Sequence, residues 1–136
     1  MRGERPARLR ELIVGEGLEA LIVEGPANLR YLTGFTGSAG VASVHADGRG
    51  RFYTDFRYET QAAQELDDTF ACEIVSGELT DALAAAMTGG RVGFDDATMS
   101  VRRLSRLREL VGSTVELVAS AGLPERLRAV KDEGEV

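Results

Sequence analysis

The sequence predicts an α/β domain: a mixed, largely parallel sheet of about six strands with one hairpin and helices on both faces. Three observations carry this prediction. Short apolar runs alternate with segments whose apolar residues recur at helical spacing. A single Asp47-Gly48-Arg49-Gly50 turn sits between two adjoining strand-like runs. No repeat and no Ser/Pro-rich linker divides the 136 residues, a length suited to one domain.

Each element has its own signal. Leu9, Leu12 and Ile13 give a first helix ending near Gly15 and Gly17, where glycine suits a left-handed cap. Ala20 to Val23 is continuously apolar, as a strand covered on both faces should be. Pro26 favours the first turn of a short helix through about Leu32. Val41 to Val44 and Arg51 to Thr54 form the hairpin strands, and Asp55 caps a helix from Phe56 to about Leu66. Cys72 to Val75 reads as a strand. Leu79, Ala82, Leu83, Ala86 and Met87 make one apolar helical stripe. Arg91 to Phe94 is a strand, Ser100 caps a helix carrying Leu104, Leu107 and Val111, and Val115 to Val118 is the last strand.

Composition bounds the class of function. The chain is 43% apolar and 28% charged, which fits a globular domain. No apolar run approaches the roughly 20 residues that span a bilayer, and the Arg- and Glu-rich N-terminus is unlike a secretory signal, so no membrane partner is expected. Sixteen basic against twenty-two acidic residues give a net charge of −6, which argues against nucleic acid as a partner. The single cysteine, Cys72, excludes an internal disulfide and fits a reducing, cytoplasmic location. Arg102, Arg103, Arg106 and Arg108 read as the solvated face of an amphipathic helix. At the C-terminus, Asp132 and Glu135 have the spacing of a helix start, yet the sequence given ends at Val136. A chain cut from something longer and a charged tail are both compatible with that pattern.

Catalytic constellations are scarce. A metal centre needs convergent His, Cys, Asp or Glu ligands, but His45 is the only histidine and lies far from Cys72 in sequence. Asp95 and Asp96 follow a strand and precede a helix start, where aspartate is expected for turn chemistry. A nuclease-like pair of Asp55 and Asp95 is a low-ranking rival reading. Ser38, between Gly37 and Gly40, lacks the Gly-x-Ser-x-Gly spacing and the preceding strand of a nucleophile elbow. The segment Gly34-Phe35-Thr36-Gly37-Ser38-Ala39-Gly40 is the least ordinary. It is neither a dinucleotide fingerprint nor a P-loop. Its regularly spaced glycines suit close backbone approach, with Phe35 as an aromatic tip presented to a ligand or partner. A plain helix-to-strand connector is the other reading.

Four segments then stand in order: Pro26-Ala27-Asn28-Leu29-Arg30-Tyr31-Leu32-Thr33 running into Gly34 to Gly40, Tyr53-Thr54-Asp55-Phe56-Arg57-Tyr58-Glu59-Thr60-Gln61-Ala62, Arg91 to Asp95, and Leu127 to Asp132. Together they resemble the N-terminal domain of the Xaa-Pro aminopeptidase/prolidase (creatinase-like) metallopeptidases. Ala27 stands where glutamate is frequent, and Gly134 where another acidic residue is common. The resemblance implies a ribonuclease H-like motif in a non-catalytic domain, residues 1–131, with 132–136 beginning the helix into a separate catalytic domain. It gives that absent domain a pair of divalent metal ions such as manganese or cobalt, and it gives this chain no cofactor, no catalytic residue and no metal ligand. It also implies a homo-oligomeric parent acting on peptides containing proline. Phe35, Thr36, Gly37, Ser38 and Ala39 then face the neighbouring subunit's pocket, and Asn28, Arg30 and Tyr31 support them from behind. Asp55, Arg57 and Tyr58 are assigned first to the helix start. A peptide- or protein-binding module from a catalytically inactive relative is the alternative. The chain alone is expected to be a monomer or a weak dimer.

Overall fold

β1 (Ala20–Val23) is buried on both faces and lies inside a six-stranded sheet of order β4-β3-β2-β1-β5-β6. The structure, a computed structural model, describes residues 4–120. The remaining strands are β2 (Val41–His45), β3 (Gly50–Thr54), β4 (Ala71–Ile74), β5 (Gly90–Phe94) and β6 (Val115–Ala119). The helices are α1 (Glu4–Gly15), α2 (Pro26–Thr33), α3 (Glu59–Glu65), α4 (Leu79–Ala85) and α5 (Val101–Val111). β2 pairs antiparallel with β1 and β3, whereas the β3–β4, β1–β5 and β5–β6 pairings are parallel. The mixed, largely parallel sheet with one hairpin is therefore as the sequence predicts.

Strand alternation divides the core into two layers. Leu21 and Val23 of β1, with Ala42, Val44 and Phe52, pack against Leu9 and Ile13 of α1, Leu29 and Leu32 of α2, and Ala62 of α3. Ala20 and Ile22 point the other way, joining Val41, Tyr53, Val92 and Phe94 against Leu83 and Ala84 of α4 and Leu107 of α5. Every strand except β2 ends on one rim of the sheet, because β2 alone runs antiparallel to the rest. That rim collects Glu24, the segment from Gly34 to Gly40, Asp55 to Tyr58, and Asp95 to Ser100.

Three local expectations need correction. The helix expected from Phe56 begins as a 3-10 turn over Phe56–Tyr58, because the Asp55 carboxylate accepts the Arg57 N–H two residues on. Regular helix starts only at Glu59. The apolar stripe through Met87 outlasts its helix, since α4 stops at Ala85 before Thr88-Gly89-Gly90. The arginines of α5 are not one solvated face. Arg103 turns inward, its Nη1 donating to buried Glu24 at 2.8 Å and its Nε to Thr80 at 3.0 Å. This ties α5 to α4 and to the end of β1. Arg106 donates from Nε and Nη2 to the Asp81 carboxylate, both at 3.2 Å. The acceptors belong to other elements, so helical periodicity alone cannot reveal them. The expected boundary at 131/132 and the Asp132–Glu135 start lie outside the described residues.

His45 ends β2 with 4% of its surface exposed, its Nε2 2.8 Å from Ser43 Oγ on the same strand face. Burial, with the nearby Arg49 and Arg51 charges, pushes its pKa down against a smaller opposing effect of Asp47. The unfolded chain then takes up a proton near pH 6.5 that the folded chain resists, so stability falls with acidification through that region and no penalty exists above it. His45→Asn should flatten the decline in melting temperature between about pH 7.5 and 5.5. An unchanged slope would remove His45 from the account.

Candidate functional site

The rim segment Gly34 to Gly40 is built from its two ends inward. Gly34 caps α2 in the left-handed conformation at φ 85°, its N–H donating to the Arg30 carbonyl, a geometry that disfavours any residue with a Cβ. The buried Thr33 hydroxyl donates to the Leu29 carbonyl at 2.6 Å and accepts the Phe35 N–H at 3.1 Å, which carries the chain from helix into loop. Phe35 then turns inward. Its ring lies 4.7 Å from that of Phe52 and 5.7 Å, edge-on, from that of Tyr58. At the far end the Thr54 hydroxyl donates to the Ala39 carbonyl.

The sequence-based expectation for Phe35 therefore fails in direction. With 1% of its surface exposed it is not an aromatic tip offered outward but the anchor that fixes the loop to the core. The glycine pattern serves the same end. A Cβ on Gly37 would run into the Phe35 ring and stand 2.8 Å from Tyr58 Cδ1. The backbone approaches the domain's own aromatic rings, and what faces solvent is Thr36 and Ser38, with Gly37 between them and Ala39 after them half-buried.

Two side-chain clamps from the neighbouring segment hold this exposed stretch. Thr36 donates its N–H to Glu65 Oε1 at 2.8 Å and its hydroxyl to Glu65 Oε2 at 2.7 Å. Gln61 donates from Nε2 to both Thr36 Oγ1 and Glu65 Oε1. Ser38 and Tyr58 share a hydroxyl–hydroxyl hydrogen bond, which lowers the Tyr58 phenol pKa. Desolvation raises the Glu65 carboxyl, but the bonds from Thr36 and Gln61 and the Arg30 charge together keep it below the usual glutamate range.

The other expected site residues fall into separate roles. Asn28 is buried in α2. Tyr31 is half-buried, with the Arg5 guanidinium 3.9 Å above its ring and Arg5 donating to its carbonyl. Arg30 is exposed and lines, with Pro26, Ala27, Phe35, Thr36 and Gly37, a shallow cleft of about 380 Å³. Asp55 and Arg57 form a two-pronged pair at 2.9 and 2.7 Å, and the guanidinium hydrogen bonds hold the Asp55 carboxyl down. Phe56 beside them is 76% exposed. Gln61 and Glu65 were missed because only the tertiary packing of α3 beside the loop gives them a role, although their four-residue spacing marks a common helix face.

Among the described residues of the rim, no group of three or more His, Cys, Asp or Glu side chains could hold a metal ion. Asp95 accepts the Ala97 N–H at 2.9 Å as a turn residue, and Asp55 is engaged by Arg57. Ser38 has no histidine base beside it, because His45 lies at the far end of β2, a strand roughly 13 Å long at about 3.3 Å per residue.

Comparison with known proteins gives the relatives of this arrangement. The profile of the Creatinase/Prolidase N-terminal domain matches residues 5–130. The chain is 33% identical over 134 residues to the uncharacterized peptidase YqhT of Bacillus subtilis, covering 95% of this chain and 36% of that protein. It is 34% identical to Xaa-Pro aminopeptidase 2 of Sus scrofa over 81% of this chain and 20% of that protein. Among solved structures, the N-terminal domain of the cytoplasmic peptidase PepQ from Mycobacterium tuberculosis H37Rv superposes with a TM-score of 0.84 at 34% identity, covering 92% of this chain and 98% of that one. The chain thus spans about a third or less of the length of these curated relatives.

The loop geometry makes Gly37 the most constrained position on the rim. Gly37→Ala should destabilise the domain by about 1–3 kcal/mol through forced movement of Phe35 or Tyr58. Gly15→Ala, where a Cβ meets nothing within 4 Å, should stay within about 0.5 kcal/mol of the parent. Urea unfolding of the two variants checks the contrast.

Proposed function

Because the chain belongs to the creatinase/prolidase N-terminal domain family, we propose that it is the non-catalytic N-terminal domain of a metal-dependent Xaa-Pro peptidase of the aminopeptidase P or prolidase type. Its partners are a catalytic domain encoded downstream and further copies of the same protein. In that assembly the backbone from Thr36 to Ala39 forms one wall of a neighbouring subunit's pocket for peptides containing proline. The observation that carries this reading is the pairing of a solvent-facing, glycine-containing backbone with the side-chain hydrogen bonds that hold it in one conformation.

The two features belong together physically. A short, glycine-containing backbone stretch fits into a cleft where larger side chains would clash. Held in one conformation, it brings N–H and C=O groups to a peptide without an ordering cost at binding. The manganese or cobalt pair that the family resemblance gives the whole enzyme finds no matching ligand set here, since Asp55, Asp95 and His45 are each engaged in local structure. In this reading the chain's own contribution is to bind and orient the peptide through the backbone from Thr36 to Ala39. No helix among the described residues is long and apolar enough to cross a membrane, and a cytoplasmic location is proposed by likeness to PepQ.

Incubated with Mn²⁺ or Co²⁺ and an Xaa-Pro substrate, the purified chain should show no turnover; robust activity would overturn the assignment. The coding sequence beyond Val136 should supply Asp, Glu and His ligands, and their loss would favour a peptide-binding module instead. In the enzyme so encoded, Ser38→Ala should raise KM roughly fivefold, about one hydrogen bond's worth, with a smaller change in kcat.

A further inference from the structure

We infer that Glu65 is the positioning residue of the rim loop, its two carboxylate oxygens setting Thr36 and, through it, the exposed backbone from Thr36 to Ala39. The start of the loop is fixed by the Phe35 ring and its end by the Ser38–Tyr58 and Thr54–Ala39 hydrogen bonds. Thr36 lies between these anchors and is exposed, so packing alone leaves its peptide plane and side-chain rotamer unset. Glu65 sets both. One oxygen takes the Thr36 N–H and the other its hydroxyl hydrogen, at 2.8 and 2.7 Å. Gln61, one helical turn earlier, braces the arrangement from the same face of α3 by donating to Thr36 Oγ1 at 2.9 Å and to Glu65 Oε1 at 3.2 Å.

The chemistry selects an ionised carboxylate of this length. Thr36 offers two donors and needs two acceptors, which a carboxylate has and a carboxamide lacks. Glutamine can accept the N–H, but its NH₂ would then face a hydroxyl that already accepts from Gln61. Aspartate falls one methylene short. Charge-assisted bonds are also the stronger kind. The Arg30 charge on α2 adds a smaller favourable contribution to the ionised Glu65 carboxylate. Since α3 follows directly from the 3-10 turn at Phe56–Tyr58, Glu65 joins that turn and the loop into one unit.

The purpose assigned to the loop rests on the pocket-wall reading above, but the positioning is measurable in the full 136-residue chain by itself. Amide exchange and ¹⁵N–¹H shifts of Thr36 would be followed against pH in the parent, Glu65→Ala, Glu65→Gln and Gln61→Ala. Thr36 exchange should quicken at least about tenfold in Glu65→Ala, less in Gln61→Ala, with Phe52 amide protection unchanged. In the parent, the Thr36 amide shift should follow one titration below the ordinary glutamate range, and that titration should vanish in Glu65→Gln. Unaltered Thr36 exchange and shift in both Glu65 variants would overturn the inference. Should Glu65→Ala fail to fold, the parent titration decides alone: a Thr36 amide indifferent to pH overturns it. If Thr36 responds as expected while the same substitutions leave KM of the full enzyme untouched, the positioning stands and the pocket-wall reading fails.

Discussion

The packing of Phe35 between Phe52 and Tyr58 is the contact on which the rim depends. It converts a seven-residue connection into a fixed surface. A ring buried this deeply contributes roughly 1.5–3 kcal/mol of apolar burial, with about 0.5–1.5 kcal/mol more from favourable ring geometry. That is enough to hold one loop conformation in a domain of ordinary marginal stability. The remaining interactions are arranged around this point. Gly37 is small because the ring passes beneath it, Thr33 turns the chain so that the ring can enter, and Tyr58 both packs on the ring and bonds Ser38. Fixing one aromatic side chain thereby fixes the backbone on the opposite side of the loop.

Much of the architecture is legible in the sequence, because it is written in local periodicity. Ala20 to Val23 is apolar at every position since helices cover both faces of β1. Asp47-Gly48 marks the hairpin because Gly48 adopts φ 98°, and Ser100 marks α5 because its hydroxyl accepts the Arg103 N–H. The site was legible only in part. The glycine pattern locates the loop but not the direction of Phe35, since the same spacing serves a loop that offers its aromatic outward and one that buries it. Burial is decided by Phe52 on β3 and Tyr58 in the 3-10 turn, residues distant in sequence. Glu65 and Arg103 were illegible for the same reason. A charged residue on an amphipathic helix looks solvated until the element facing it is known, and here those elements bring Thr36 and Glu24.

The distribution of charge follows the same division between scaffold and surface. The buried ionic contact, Arg103 with Glu24, sits where α4, α5 and the end of β1 meet, and Thr80 takes a further guanidinium hydrogen. Removing either partner alone would leave a desolvated charge, so the pair fixes how the second helical layer seats on the sheet more than it adds to stability. Exposed pairs such as Asp55 with Arg57 and Asp81 with Arg106 are worth little individually. Asp55–Arg57 matters by position: it holds the 3-10 turn from which both Tyr58 and α3 reach the loop. Asp55, Glu65 and Asp95 thus serve as cap, clamp and turn residue.

The topology adds one constraint on how such a loop is used. β6 runs parallel to β5, β1 and β3, so it ends at Ala119 on the rim that carries the loop. Between β6 and the start of β2 lie only β5 and β1. At about 4.8 Å per strand spacing, the exit point and the loop are roughly 15 Å apart along the rim. The end of β6 at Ala119 therefore lies close to the loop, on the same rim of the sheet. A ligand site formed at this rim would combine a wall set by Phe35, Glu65 and Tyr58 with chemistry from elsewhere, and the wall must already be in place when that chemistry arrives. A loop ordered only on contact would lose binding energy to its own ordering. The buried ring and the two side-chain clamps remove that loss beforehand, which explains why so many hydrogen bonds are made to a stretch that packs so little of its own surface.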